Sequence, residues 1–274
     1  MSNLAQRIIA GVVGAGILIN SIYWSEWSFF LIFLLIMSFS LLEFYTILGK
    51  ANFKTTKYLA VAIGILTFGG IFWVQKNEMF FNVLILLILA FVFLLFILKL
   101  YDKTDKQPFT NLAMTILGLV YVCVPFGLLL SVSYWVGSKG QYHYQVPLGI
   151  LFCLWASDSG AYFVGRKLGK TKLFERISPK KSWEGLVGGM FFSQMVAWGL
   201  SVYFTSVEGW KWFVISAIIV IVGTYGDLVE SMLKRSLNIK DSGSVIPGHG
   251  GFLDRFDGLL VAMPFVALFF KLFA

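Results

Sequence analysis

The chain of 274 residues is rich in apolar side chains and poor in charge: 58% of its residues are hydrophobic, 18% aromatic and 13% charged. A soluble domain has about 25% charged residues, so this chain has too little polar surface to face water on all sides. Its mean hydropathy of +0.81 and its six prolines exclude disordered and collagen-like chains. The composition therefore indicates an integral membrane protein.

The net charge of +8 and the two cysteines do not by themselves indicate a further function. Basic cytoplasmic loops near anionic lipid headgroups explain the surplus of cations, so we expect no nucleic-acid partner. Cys123 and Cys153 lie inside apolar runs, where we expect them to pack without a redox or metal role. No small-residue cleavage site follows the first apolar run, so the sequence predicts a retained first span.

Nine apolar runs along the chain are long enough to cross a bilayer. Because each run is continuously apolar, helices are predicted rather than the alternating strands of a barrel. The runs cover residues 8–24, 27–48, 58–74, 79–98, 110–136, 145–164, 184–205, 211–233 and 258–273. The predicted fold is therefore all-α, a polytopic integral membrane protein with about nine transmembrane helices.

The positions of the cations predict the orientation of these spans. With a cytoplasmic N-terminus, the only Lys or Arg residues on the outer side are Lys76, Lys139, Lys211 and Lys271. Since cytoplasmic loops carry the excess of Lys and Arg, the sequence predicts that the N-terminus is inside and the C-terminus outside. We expect a multi-pass protein of the cell inner (plasma) membrane whose active site faces the cytoplasm.

Polar residues divide the chain into two predicted regions. In residues 1–140 they lie almost only in short loops, which is typical of lipid-facing scaffold helices. In residues 141–274 acids occur inside apolar runs, and the cytoplasmic loops 165–183 and 234–257 are dense with Gly, Lys, Arg and Asp. We expect this second region to be catalytic.

Several carboxylates of the second region lie within predicted helices. Asp158 lies inside the sixth run, where an unpaired carboxylate costs about 2.5–3.5 kcal/mol, so it needs a partner on a neighbouring helix or a polar cavity. Asp227, Glu230, Ser231 and Lys234 are spaced to share one face of the eighth helix. A structural ion pair between Glu230 and Lys234 explains only two of the four polar residues.

The last cytoplasmic loop has features of a phosphate and metal site. Glycines on both sides of His249 permit close approach of backbone amides to a phosphate, although an ordinary hydrogen-bonded loop histidine stays open. Asp254 and Asp257 then offer oxygen ligands of the kind that Mg²⁺ prefers. The basic loop 165–183 serves orientation and lipid contact, or binds substrate phosphates. Carboxylates and cations at one membrane face together indicate phosphoryl or nucleotidyl transfer.

Residues 231–257 resemble the C-terminal signature of the phosphatidate cytidylyltransferase (CDP-diacylglycerol synthase) family. The matching fixed positions are Ser231, Lys234, Arg235, Lys240, Asp241, Pro247, His249, Gly250, Gly251, Asp254, Arg255 and Asp257. Residues 158–166 and 178–185 are also similar to the family, so the resemblance covers about residues 150–260.

The resemblance implies a Mg²⁺-dependent reaction of CTP with phosphatidate that gives CDP-diacylglycerol and pyrophosphate, with a second cation left open. It implies metal binding by the residues that match Asp227 and Asp254, and we add Asp158 as a further ligand. The expected catalytic residues are Asp227, Asp254, Lys234, Arg235 and Asp257. The expected substrate-binding residues are Arg166, Ser178, Lys180, Lys181, Lys240, His249, Gly250, Gly251 and Arg255. The expected partners are CTP, phosphatidate and membrane lipid; a homodimer stays open.

Four other functions compete with this interpretation. The CDP-alcohol phosphotransferases are the least similar, because their repeated-Asp signature within one helix is absent here. An ion-coupled transporter also has intramembrane acids, but its polar residues would follow a path through the membrane rather than cluster at one face. A CTP-using kinase of a lipid alcohol is a nearer alternative, which releases CDP instead of pyrophosphate. A purely structural membrane scaffold would not need so many charges at one membrane surface.

Overall fold

The computed structural model of the protein describes residues 3–137, 140–237, 239, 243 and 250–273, with side chains described from Ile9 onward. Its helices are α1 Asn3–Trp24, α2 Glu26–Lys50, α3 Lys57–Lys76, α4 Phe80–Tyr101, α5 Pro108–Gly118, α6 Val124–Val132, α7 Gln145–Leu168, α8 Trp183–Tyr203, α9 Gly209–Ser236 and α10 Leu253–Phe273. A π-helical turn, Leu119–Cys123, joins α5 and α6 into one continuous helix.

Membrane-spanning helices dominate the fold. Among the described residues, eight helices are long and apolar enough to cross a bilayer, and Ile9–Trp24 is a shorter apolar helix in addition. The all-α, polytopic fold is confirmed, whereas the orientation of the N-terminus stays a prediction. Several helices extend beyond their predicted runs. In the second region α7 continues to Leu168 and α10 begins at Leu253. Hydropathy excluded these helical turns from the predicted runs because they carry polar side chains.

Close backbone packing joins α7 to α8. A β-carbon placed on Gly160 would lie 2.8 Å from the Gly188 carbonyl oxygen, and one on Gly188 would lie 2.4 Å from Cβ of Val164. Small residues allow membrane helices to approach this closely. The Ser216 hydroxyl of α9 contacts the Ser193 hydroxyl of α8 at 2.9 Å, and so links a third helix to the pair.

A short β-hairpin connects α7 and α8, where the sequence predicted only a loop. Its strands β1 Lys172–Phe174 and β2 Ser178–Ser182 pair in antiparallel register. The Ser182 hydroxyl caps α8 by accepting the Gly185 N–H at 3.1 Å. The Glu184 carboxylate accepts the Lys170 and Thr171 N–H groups at 3.1 and 3.0 Å. The hairpin is therefore fixed to the first turn of α8.

Aromatic contacts connect α10 to the N-terminal helices. The Phe256 ring lies 6.3 Å from that of Phe33 in α2 and 5.5 Å from that of Phe126 in α6, between ring centroids. Edge-on aromatic pairs at this range are favourable beyond their buried area. The N-terminal helices thus pack directly against the helix that carries Asp254 and Asp257. The division of the chain at residue 140 stays a prediction.

Candidate active site

A polar cavity of about 1330 Å³ lies where α7, the hairpin, α8, α9 and the start of α10 meet. Its walls bring together most of the residues that the sequence predicted as site residues. These are Asp158, Arg166, Ser178, Lys180, Lys181, Asp227, Lys234, Gly250, Asp254, Arg255 and Asp257. Residues separated by nearly one hundred positions along the chain therefore contribute to one enclosure.

The polar stripe on α9 forms one wall of the cavity. The Ser231 hydroxyl donates to Asp227 Oδ1 at 3.3 Å, and Lys234 Nζ lies 3.3 Å from Glu230 Oε2. The predicted common face of these four residues is confirmed. Glu230 is 1% exposed, so its carboxylate is buried within this wall beside the Lys234 ammonium.

A lysine from the hairpin reaches Asp227. Lys181 Nζ lies 2.6 Å from Asp227 Oδ2 and donates to the Thr224 carbonyl oxygen at 3.0 Å. The sequence predicted Lys181 as a phosphate-binding residue, and the structure adds this direct contact with a candidate metal ligand. The pair is partly exposed, at 22% for the Lys181 side chain and 41% for that of Asp227. Water and an incoming ligand therefore have access to the Asp227 carboxylate.

Asp254 is held at the first turn of α10. Lys234 Nζ lies 2.7 Å from its Oδ1, and the Gly251 N–H donates to its Oδ2 at 3.1 Å. Gly250 has a φ of +85°, a conformation that L-residues with side chains rarely adopt. A β-carbon on Gly250 would also lie 2.9 Å from Asp254 Oδ2. Gly250 is therefore required by the turn and by the carboxylate.

Asp158 and Asp257 complete the acidic wall. Asp158 is exposed to the cavity from α7, which favours the polar-cavity interpretation of this intramembrane carboxylate. Asp257 Oδ1 accepts the Gly258 N–H at 2.6 Å. A β-carbon on Gly226 would lie 2.7 Å from the Asp257 carbonyl oxygen, so α9 and α10 touch at this level. This close contact brings the carboxylates of the two helices to one wall.

Some predicted residues lie elsewhere. Arg235 is not among the described residues that line the cavity, and its guanidinium donates to the Ile239 carbonyl oxygen at 3.5 Å. Arg235 shares its face of α9 with Leu228, seven residues earlier, and therefore lies on another face from Lys234. Gly251 is not among the described residues that line the cavity, and its backbone N–H donates to Asp254. Lys240 and His249 lie outside the described residues.

Sequence reasoning missed Glu43. Its carboxylate lies in α2, is 6% exposed, and accepts the N–H of Leu253, the first residue of α10, at 2.9 Å. Glu43 is an exception to the expectation that polar residues of the first 140 positions lie almost only in loops. The signal was available, because Glu43 is an acid inside the apolar run 27–48, as Asp158 is inside its own run.

The acidic wall supplies oxygen donors of the kind that Mg²⁺ binds. Within the described part of the chain, no three His, Cys, Asp or Glu side chains converge as a closed metal site. Mg²⁺ is commonly held by one or two carboxylates together with substrate phosphates rather than by a protein cage. Asp227 and Asp254 offer that pair of carboxylates on the wall of one cavity.

The sequence matches the Cytidylyltransferase family over residues 5–273. The chain belongs to this family. The resemblance inferred from the motifs around Asp158, Ser178 and residues 231–257 is thereby confirmed.

Curated relatives carry the name phosphatidate cytidylyltransferase. The Staphylococcus saprophyticus protein is 36% identical over 241 residues, which cover 84% of this chain and 88% of that protein. The Bacillus subtilis protein is 35% identical over 186 residues, 67% of this chain and 68% of that protein. The Haemophilus influenzae protein is 38% identical over 182 residues, and the match covers 62% of each chain, a little less than two thirds.

Proposed function

We propose that the protein is a phosphatidate cytidylyltransferase, which converts CTP and phosphatidate to CDP-diacylglycerol and pyrophosphate in phospholipid synthesis. The observation that carries the proposal is the cavity among membrane-spanning helices whose walls combine carboxylates with Lys and Arg. Family membership supports nucleotidyl transfer, and the relatives of this name support the two substrates.

The reaction needs positioning and charge neutralisation more than proton transfer. A phosphate oxygen of phosphatidate, already anionic at neutral pH, attacks the α-phosphorus of CTP and forms the new P–O bond. The bond from that phosphorus to the bridging oxygen breaks, and its electron pair leaves with pyrophosphate. No strong general base is required. The protein must hold two polyanions in contact and stabilise the charge that develops.

The cations of the cavity divide into two groups by their contacts. Arg166, Lys180 and Arg255 line the cavity and are exposed, which suits them to bind substrate phosphates. Lys181 and Lys234 are bound to Asp227 and Asp254 and keep these carboxylates oriented. Lys181 is therefore proposed to orient a carboxylate in addition to its predicted phosphate contact.

Mg²⁺ is the proposed cofactor, held by Asp227 and Asp254, with Asp158 as a further ligand and a second cation left open. When bound, the ion neutralises phosphate charge and fixes the reacting phosphate group. The donor chemistry of the cavity supports this assignment. Asp257, which lines the same wall, is proposed to orient the neighbouring groups.

Phosphatidate is proposed to enter sideways from the bilayer. Tyr162 and Leu186 line the cavity, while their neighbours Phe163 and Val187 are 59% and 67% exposed on the outer surface of α7 and α8. Apolar side chains beside a polar cavity suit a lipid whose headgroup must leave the membrane surface. The distribution of Lys and Arg supports an inner-membrane protein with this cavity on the cytoplasmic side.

The deciding experiment incubates the purified protein in detergent with labelled CTP, phosphatidate and Mg²⁺. We expect labelled CDP-diacylglycerol and an equal amount of pyrophosphate, whereas a kinase would release CDP. Asp227→Asn and Asp254→Asn should each lower the turnover at least about 100-fold, because each removes charge at the reacting phosphates. A folded parental protein that forms no lipid product, or two variants with near-parental turnover, would contradict the proposal.

A further inference from the structure

Glu43, in the N-terminal half of the chain, has no place in the mechanism above. We propose that Glu43 is a positioning residue that sets the start of α10 and thereby the Asp254 carboxylate. This inference rests on the proposed cytidylyltransferase activity. It assigns a part in the reaction to α2, a helix that contributes no residue to the cavity lining among those described.

The Glu43 carboxylate holds the first residue of α10. Its Oε2 accepts the Leu253 N–H at 2.9 Å, across 210 positions of sequence. The first N–H groups of a helix have no partner within the helix, so they need an acceptor from elsewhere. A carboxylate also suits the positive end of the helix dipole. Glu43 therefore does for α10 what a local N-cap residue does for other helices.

The other carboxylate oxygen faces a second segment of the same region. A β-carbon placed on Gly243, which lines the cavity, would lie 2.8 Å from Glu43 Oε1. That oxygen is buried and accepts no hydrogen bond from the described residues. Glu43 thus lies close to Gly243 and is hydrogen-bonded to Leu253, positions that precede and follow residues 244–249.

The contact with Leu253 is transmitted to Asp254 over a very short path. Asp254 is the next residue, and its carboxylate is oriented by the Gly251 N–H and the Lys234 ammonium. A shift of the helix start moves Asp254 relative to Asp227 on α9. Because misplacement of a reacting group by about 1 Å can cost about 100-fold in rate, the Leu253 hydrogen bond has a large effect on turnover.

Glu43 is a buried carboxylate, so its presence in α2 needs a structural reason. A buried carboxylate is costly unless it is hydrogen-bonded. The Phe39 and Phe252 rings stack 5.3 Å apart on the adjacent turn of α2 and the chain before α10. An apolar residue at position 43 would pack there and would leave the Leu253 N–H without this acceptor.

The test compares Glu43→Ala with Glu43→Gln and with Ser40→Ala as the matched control. Ser40 lies one turn earlier on α2, is 0% exposed, and its hydroxyl has no hydrogen-bond partner among the described residues. Each purified protein is assayed for kcat and for the KM of CTP and phosphatidate, per folded molecule. The parental protein and Ser40→Ala should have the same kcat within about twofold, because the lost hydroxyl makes no hydrogen bond with the described residues.

Glu43→Ala should lower kcat about 100-fold and leave both KM values within about threefold, because the reacting geometry is lost while the binding cations stay. Glu43→Gln should stay within about threefold of the parental kcat, because its amide oxygen still accepts the Leu253 N–H. The inference is wrong if Glu43→Ala keeps parental kcat, if its loss lies in KM, or if Glu43→Gln is as slow as Glu43→Ala.

A second variant covers the case in which Glu43→Ala does not fold. Gly243→Ala places a methyl group against the Glu43 carboxylate, so it should lower kcat at least about tenfold by displacing that carboxylate. Combined with Glu43→Gln, Gly243→Ala should still lower kcat, because the clash with the side chain at position 43 persists. Combined with Glu43→Ala, where that variant folds, the clash is removed, so Gly243→Ala should change kcat little further. A parental kcat for Gly243→Ala would overturn the inference. Lack of lipid product from the parental protein would instead refute the proposed function.

Discussion

Lys234 joins two buried carboxylates, and its removal gives a quantitative test of the cavity wall. Its ammonium lies 3.3 Å from Glu230 Oε2 and 2.7 Å from Asp254 Oδ1, and the three side chains are 14%, 1% and 12% exposed. Lys234→Met keeps most of the apolar volume and removes the charge. Breaking a buried ion pair from one side costs about 3–5 kcal/mol, because a buried charge loses its compensation. We expect a loss of that size in the free energy of unfolding.

The companion variants show whether burial sets this magnitude. Lys181→Met also breaks a Lys–Asp contact, but that pair is 22% and 41% exposed, so about 0–1 kcal/mol is expected. The double variant Lys234→Met with Glu230→Gln should recover more than half of the loss, because it also removes the more deeply buried of the two carboxylate charges. Reversible unfolding in mixed detergent measures all of them. A loss for Lys234→Met no larger than that for Lys181→Met would refute the reasoning.

Two further predictions concern the turn before α10 and the loop after α4. Gly250→Ala should lower turnover at least about tenfold, measured as labelled lipid product, because the positive φ is strained and the methyl group meets Asp254 Oδ2; a parental rate would contradict this. Burial raises the pKa of Asp105, but hydrogen bonds from Lys99, the Gln107 N–H and Asn111 hold it below its ordinary value. Stability from this group is therefore present above about pH 4 and lost as the pH falls through the lower folded pKa. The free energy of unfolding of Asp105→Asn should therefore fall less in acid than that of the parental protein. Equal falls for the two proteins would be evidence against this prediction.

Local periodicity was enough to predict part of the site. The spacing of Asp227, Glu230, Ser231 and Lys234 placed them on one face of a helix. The structure shows two contacts within this set, Ser231 with Asp227 and Lys234 with Glu230. Contacts between elements depend on tertiary packing instead. The Lys181 contact with Asp227 requires a hairpin whose strands have few apolar residues, so neither its register nor its reach could be predicted from hydropathy.

Glu43 shows the same limit more strongly. An acid in an apolar run indicates that a partner exists, but nothing in the local sequence says that the partner is the Leu253 N–H. Helix ends were missed for a related reason. The first turn of α10 carries Asp254 and Asp257, which face a cavity rather than lipid, so a hydropathy window excludes them.

The cavity wall described above carries nearly equal numbers of opposite charges. Among the described residues that line it, the acids are Asp158, Asp227, Glu230, Asp254 and Asp257, and the bases are Arg166, Lys172, Lys180, Lys181, Lys234 and Arg255. A strongly cationic cavity would attract CTP from a distance but would also retain pyrophosphate after the transfer. Because the opposite charges of the wall nearly cancel, the cavity attracts an anionic ligand mainly at short range. In the proposed reaction the leaving pyrophosphate would meet carboxylates as well as cations, which would favour its release to the aqueous phase.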